Sequence, residues 1–140
     1  MLTTYKVFVD TNVFVALSDE RDSTHGKAIS LKDKLKIKAV KLFTSSDVIG
    51  ETLTVMSKKL GKKKAVDFFN KFKDYGIKEI FISEDIHKEA RKFFAGVKSK
   101  NVSFIDCSSV VAMRRNKIKV AFTFDEDFRS LGIKLAEDVF

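Results

Sequence analysis

Short apolar runs alternate along this chain with segments whose apolar positions recur every three or four residues. Residues 5–9 (YKVFV) are rich in β-formers and largely apolar, the pattern of a strand covered on both faces. That run stops at Asp10. Asp22 can cap a helix over residues 22–39, with Ala28, Leu31 and Leu35 on its apolar stripe. Residues 41–44 (KLFT) predict a second strand. Ser45 or Ser46 then caps a helix to about Leu60, with Val48, Ile49, Leu53, Met56 and Leu60 on its buried side. Residues 62–73 predict another helix, with Ala65, Phe68, Phe69 and Phe72 facing inward, and Gly76 supplies the turn after it.

The same alternation continues to the end of the chain. Residues 78–82 (KEIFI) predict a third strand. Ser83 caps the next helix, with Glu84 and Asp85 favourably placed in its first turn and Ile86, Ala90, Phe93, Phe94 and Val97 as its packing stripe. Ser103 opens a helix that runs to about Arg115, and its spacing from Asp106 is that of a capping box. Residues 119–123 (KVAFT) predict a fourth strand, residues 125–131 a short helical turn closed by Gly132, and residues 133–136 a fifth, edge strand. There is no proline, linker, repeat or low-complexity block. Residues 1–140 therefore read as one α/β domain. It is a three-layer α/β/α sandwich around a central, mostly parallel sheet of four or five strands.

In such sheets, ligands bind outside the carboxyl ends of the strands, at the switch in strand order. Four acids fall where that rule directs attention. Asp10 follows the first strand directly, in VFVDTN. Glu51 lies in a weakly charged helical stretch, SSDVIGETLTVM, bordering its packed face, with Gly50 beside it leaving room for close approach. Asp106 sits in the first turn of the helix leading to the fourth strand. Asp125 follows that strand, in FTFDEDF, with Asp127 as a second candidate ligand and Glu126 toward solvent. Each also has a plainer reading: Asp10 as a cap or turn residue, Glu51 as a solvated side chain, Asp106 as the partner of Ser103, and Asp125 as part of a charged turn. Thr11, Asn12, Ser46 and Thr123 could orient the acids or a water, or serve as simple caps.

Four convergent carboxylates cannot all stay ionised cheaply; protons or metal ions must relieve the repulsion. All-oxygen sites suit Mg²⁺ or Mn²⁺, whose Lewis acidity fits hydrolysis of a phosphodiester. Zinc is disfavoured, because His25 and His87 share no ligand pattern with Cys107, and that lone cysteine reads as packing in a reducing interior. The formal charge of +8, from 27 Lys and Arg against 19 Asp and Glu, favours a polyanion as partner. Arg114 and Arg115, on the helix carrying Asp106, are the first candidates for RNA contact. Lys58, Lys59, Lys62, Lys63 and Lys64 follow, although most of those lysines also fit a solvated face. No signal peptide opens the chain and no apolar run approaches the roughly 20 residues that span a bilayer, so a cytoplasmic protein is expected.

The segments VDTNVFVAL (residues 9–17), TSSDVIGE (44–51), FID (104–106) and TFDEDF (123–128) together resemble the PIN domain family, most closely its small VapC-type toxin ribonucleases. The resemblance runs through nearly the whole chain. It implies a sheet between helices, an acidic Mg²⁺ or Mn²⁺ site, and endonucleolytic cleavage of single-stranded RNA. Asp10, Glu51, Asp106 and Asp125 match the family's four acids in order, and Thr11 or Thr123 its small hydroxyl. It also implies a homodimer and a cognate antitoxin protein that places its tail in the active-site groove. Residues 19–41 form a long, lysine-rich stretch for such a toxin, bringing a different surface toward the groove. Two other readings compete: a non-catalytic RNA-binding or RNA-processing assembly protein on this fold, and another Mg²⁺ phosphohydrolase or a phospho-accepting regulator.

Overall fold

The computed structural model describes residues 5–140. Five strands form one parallel sheet: β1 (Lys6–Val9), β2 (Lys41–Ser45), β3 (Ile77–Ile80), β4 (Val120–Phe122) and β5 (Lys134–Leu135). Their order is β3-β2-β1-β4-β5. The chain moves outward from β1 to β3, then returns to the other side of β1 for β4 and β5. Right-handed crossovers in opposite directions put helices on both faces and open a switch point between β1 and β4. The expected α/β/α sandwich with a parallel sheet is the observed architecture.

Eight α-helices link the described strands: α1 (Thr11–Ser18), α2 (His25–Ile37), α3 (Ser46–Leu60), α4 (Lys62–Lys71), α5 (Glu84–Gly96), α6 (Phe104–Arg115), α7 (Asp127–Ser130) and α8 (Ala136–Val139), with a 3-10 turn at Phe72–Tyr75. The pattern did not predict α1. Its buried residues Thr11, Val13, Phe14, Val15 and Ala16 are consecutive or nearly so, which erases the amphipathic stripe that marks a surface helix. Helix α2 begins at His25, later than expected. Asp22 spends its carboxylate in a tight turn, accepting from Thr24 N at 2.8 Å and Thr24 Oγ1 at 2.6 Å, so the cap position passes to Thr24. Ser45, Ser83 and Ser103 cap α3, α5 and α6 through their side chains, and Ser103 and Asp106 complete a capping box.

The core is laid along β1, β4 and α6. Phe8, Leu35, Met56, Met113, Ile118, Phe128 and Leu135 are fully buried, each worth about 1.5–3 kcal/mol of transfer free energy for its Leu-, Met- or Phe-sized side chain. Phe69 and Phe94, expected inside, lie on the exposed flanks of α4 and α5, and Phe81, expected within the third strand, lies exposed just beyond the end of β3. A stripe one position too wide explains the first two. For the third, β3 stops at Ile80, so the inward alternation does not extend to it. No described helix is long and apolar enough to cross a membrane.

Candidate active site

Strand register delivers Asp10 to the switch point. Val9 pairs with Phe122, and Asp10 N then donates to Phe122 O at 3.1 Å, so the two chains leave the sheet side by side. Asp10 is buried and caps α1, accepting from Thr11 N at 2.9 Å through Oδ1. Its other oxygen, Oδ2, accepts from Thr123 Oγ1 at 2.8 Å. Thr123 Oγ1 in turn accepts from Asn12 Nδ2 at 3.1 Å and from Asp125 N at 3.1 Å. One proton and two lone pairs are thereby all used. Asn12 Oδ1 accepts from Phe124 N at 3.2 Å, so this side chain ties the start of α1 to the exit of β4.

Asp10, Thr11, Asn12, Glu51, Asp106 and Asp125 line one open cleft of about 350 Å³. Asp106 is aimed by its own capping box, with Oδ2 accepting from Ser103 N at 2.9 Å. Asp125 accepts from Asp127 N at 2.9 Å. Glu51 projects from the second turn of α3, the helix that packs on α1. Thr52 Oγ1 donates to Thr11 Oγ1 at 3.4 Å, which brackets that contact one residue from Glu51. Among the described residues, no Lys, Arg or His forms a salt bridge with any of these four acids.

The electrostatic consequence is visible in the protonation equilibria. Burial drives the Asp10 carboxyl up to about 7, against the pull of the hydrogen bonds from Thr123 and Thr11, and the facing charges of Asp106 and Glu51 add to the rise. Asp106 is raised for the same leading reason, burial, with Asp125 and Glu51 adding to it and the Ser103 hydrogen bonds opposing. These carboxylates feel one another across the cleft, and the lysine on its wall, Lys59, pairs with Asp22 rather than with any of them.

An all-oxygen donor set with uncompensated charge fits a hard divalent cation. Among the described residues no three acidic, His or Cys side chains are drawn into a closed ligand cluster. An ion held by one or two carboxylates, keeping several of its waters, needs an open cleft of this kind rather than a cage. The histidines play no part in it. His25 Nδ1 lies 2.7 Å from Ala16 O, and His87 packs against the Phe104 ring while accepting from Arg91 Nε. Cys107 is buried in α6, and burial pushes its thiol up, away from nucleophilic use.

Several sequence-derived candidates lie elsewhere. Asp127 opens α7 and is not among the cleft-lining residues. Ser46 Oγ accepts from Ile82 N at 2.9 Å, so its hydroxyl fastens the chain leaving β3 rather than facing the acids. Arg114 and Arg115 are at the far end of α6, about 12 Å along the helix axis from Asp106. There Arg114 donates to Leu131 O and stacks on Phe93, and Arg115 pairs with Glu89. A helix that starts at the acidic end of a sheet carries its last turn to the opposite end, which adjacency in sequence conceals. Of the lysines, Lys59 lines the cleft while Lys58 does not.

Two polar lining residues had no reading as site residues. Asp22 and Thr24 form part of the cleft wall, and Lys59 Nζ lies 3.9 Å from Asp22. The Thr24 hydrogen bonds hold the Asp22 carboxyl below its ordinary value, with Lys59 contributing less. Asp-x-Thr spacing announces a side-chain turn but not where that turn packs. These residues come from the stretch expected to alter the groove.

Known proteins share this fold. Residues 7–134 match the model of the PIN domain family. The 23S rRNA-specific endonuclease VapC20 of Mycobacterium tuberculosis is 29% identical over 126 residues, covering 90% of this chain and 94% of the relative. The crystal structure of VapC20, described as a sarcin–ricin loop cleaving toxin, superposes with a TM-score of 0.80 at 27% identity, over 91% of this chain and 95% of that one. VapBC2 from Rickettsia felis, bound to a DNA fragment from its promoter, matches with a TM-score of 0.67 at 15% identity, over 93% and 96% of the two chains, a likeness of fold alone.

Proposed function

This chain belongs to the PIN domain family, and we propose on that premise that it is a divalent-metal-dependent endoribonuclease, the toxin of a toxin–antitoxin pair. The observation that carries the reading is the meeting of Asp10, Glu51, Asp106 and Asp125 in one cleft, none of them in a salt bridge among the described residues. Similarity to an rRNA-specific endonuclease over nine-tenths of the chain supports it, and makes a ribosomal RNA stem–loop the first substrate to test. The whole of residues 1–140 acts as one nuclease domain, working in the cytoplasm. A cognate antitoxin is the expected partner, since solved neighbours of this fold include VapBC assemblies. A homodimer is expected as well.

Mg²⁺ or Mn²⁺ held by the carboxylates would neutralise the phosphate and supply Lewis acidity for its hydrolysis. Asp10 would be the first residue to hold it, its oxygens oriented by Thr11 N and Thr123 Oγ1. Asp106 or Asp125, each fixed by a backbone N–H, would supply a second carboxylate. Glu51, on the cleft wall, would orient the attacking water and accept its proton. Asn12 and Thr123 keep the β1 and β4 exits in register, and Lys59 offers a positive charge to the phosphate at the rim. The test is cleavage of structured and unstructured RNA with Mn²⁺, with Mg²⁺ and with chelator, beside Asp10→Asn. Metal-stimulated cleavage lost in that variant is the expected result; full cleavage by Asp10→Asn, or none by the parent under any metal, rejects the reading.

A further inference from the structure

A row of lysines lies at the end of the sheet away from the acids. Lys6 starts β1, Lys41 starts β2, Lys119 directly precedes β4 and Lys134 starts β5. Lys6 is in register with Lys41, and Lys134 N donates to Lys119 O at 3.1 Å. These lysines therefore lie on four adjacent strands, whose spacing is about 4.8 Å. Lys117 joins them from the turn after α6. Lys6, Lys117, Lys119 and Lys134, with Tyr5 and Val139, line an open concavity of about 410 Å³.

Several features set this surface apart from a scatter of solvated lysines. All five lysines are exposed, and among the described residues none is in a salt bridge. The acids of α8, which borders the concavity, are already engaged: Glu137 pairs with Lys27 and Arg129, and Asp138 pairs with Arg129. Lys117 occupies a left-handed backbone position, φ 57°, where glycine is the ordinary occupant after a helix. Tyr5 adds a half-exposed ring, set edge-on against Phe140. Arg114 emerges at the same end from the last turn of α6.

We propose that this concavity is a second RNA-binding surface, which grips the phosphate backbone of the substrate at a distance from the cleft. The inference rests on the ribonuclease reading above and adds to it the size of the substrate. The four residues of β1 separate Lys6 from Asp10 by about 13 Å through the sheet, so the nucleotides seated in the cleft do not themselves touch the lysines. A folded RNA with flanking helices can touch both ends of the sheet. Lysines suit that task, because phosphate contact positions an RNA without reading its bases.

The test compares the parent with a Lys117→Ala, Lys119→Ala, Lys134→Ala triple variant, and with the same three positions changed to Arg. Binding is measured in chelator over a range of salt, using a single strand of about 3 nucleotides and a stem–loop of about 30. Cleavage of both is measured with Mn²⁺. The triple Ala variant should bind the stem–loop about 10-fold more weakly, with the log–log salt slope reduced by about 2, yet cut the short strand at the parental rate. The Arg variant should keep stem–loop binding, which separates lost charge from a damaged fold. Unchanged stem–loop binding in the Ala variant overturns the proposal. So does parental binding to phosphatidylserine vesicles with none to RNA. Lysine-dependent stem–loop binding by a parent that cuts neither RNA would uphold this surface and reject the nuclease reading.

Discussion

Thr123 holds Asp10 across 113 positions of sequence, its Oγ1 donating to Asp10 Oδ2 at 2.8 Å. The same oxygen accepts from Asn12 Nδ2 and Asp125 N, so one hydroxyl couples the exits of β1 and β4 and two of the four cleft acids. A methyl in its place would leave a buried carboxylate oxygen and two N–H donors short of a partner. Thr123→Val should destabilise the fold by about 1–3 kcal/mol. It should also raise the Asp10 carboxyl further and slow cleavage, while Thr123→Ser retains both functions. Denaturant unfolding and RNA cleavage of the two variants check this; equal loss in Val and Ser would contradict it.

Asp10→Asn separates charge from shape. The amide keeps the volume and an acceptor for Thr11 N and removes a buried negative charge whose ionisation is already resisted. In chelator the variant should unfold at or above the parental temperature. With Mn²⁺ the parent should gain thermal stability and the variant should not, and cleavage should fall by at least about 100-fold. A variant destabilised in chelator would show that Asp10 serves the fold through its charge.

Acidity should stabilise the metal-free protein. Asp10 titrates near 7 when folded against 3.8 as its ordinary value, so between these the folded chain holds a proton that the unfolded chain has released. Stability then falls as pH rises through that window, by up to about 4 kcal/mol from this one group, and levels off above about pH 7. Asp106 shifts in the same direction and adds to the trend. Metal must displace the proton, so affinity for Mn²⁺ should climb as pH passes 7. Melting temperatures in chelator and Mn²⁺ titrations from pH 5 to pH 8 test both signs, and a metal-free protein most stable at pH 8 would refute the assignment.

Lys59 and Arg115 should behave differently despite equal charge. Lys59 lines the cleft, and its pair with Asp22 spans 3.9 Å between partly exposed groups, which is worth little to stability. Lys59→Ala should raise KM for RNA several-fold with a smaller effect on kcat and an unchanged melting temperature. Arg115, paired with Glu89 at the remote end of α6, should leave the cleavage of a short RNA unaltered when changed to Ala. Steady-state kinetics on a short RNA distinguish the two.

Much of this could be read from the chain because strand ends and caps are local signals. Val9 giving way to Asp10, and Ser103 spaced three residues from Asp106, mark their positions without any tertiary information. Helix α1 was invisible because burial on nearly all sides removes the periodicity by which a helix is recognised. The misplacement of Arg114 had another cause: nearness along a helix is not nearness to a site when the helix runs the depth of the sheet. Asp22 and Thr24 were legible as a turn, but the packing of that turn against α3 depends on contacts between distant segments.

Glu51 stands apart from its three acidic neighbours. Asp10, Asp106 and Asp125 are each clamped by a backbone N–H, whereas the Glu51 side chain carries no such tether among the described residues and has one more rotatable bond. In the proposed metal site, three stationary jaws and one swinging arm would make a grip of adjustable gauge. Such a grip tolerates ions of different radius, so exchanging one hard dication for another should retune the speed of the enzyme rather than switch it off.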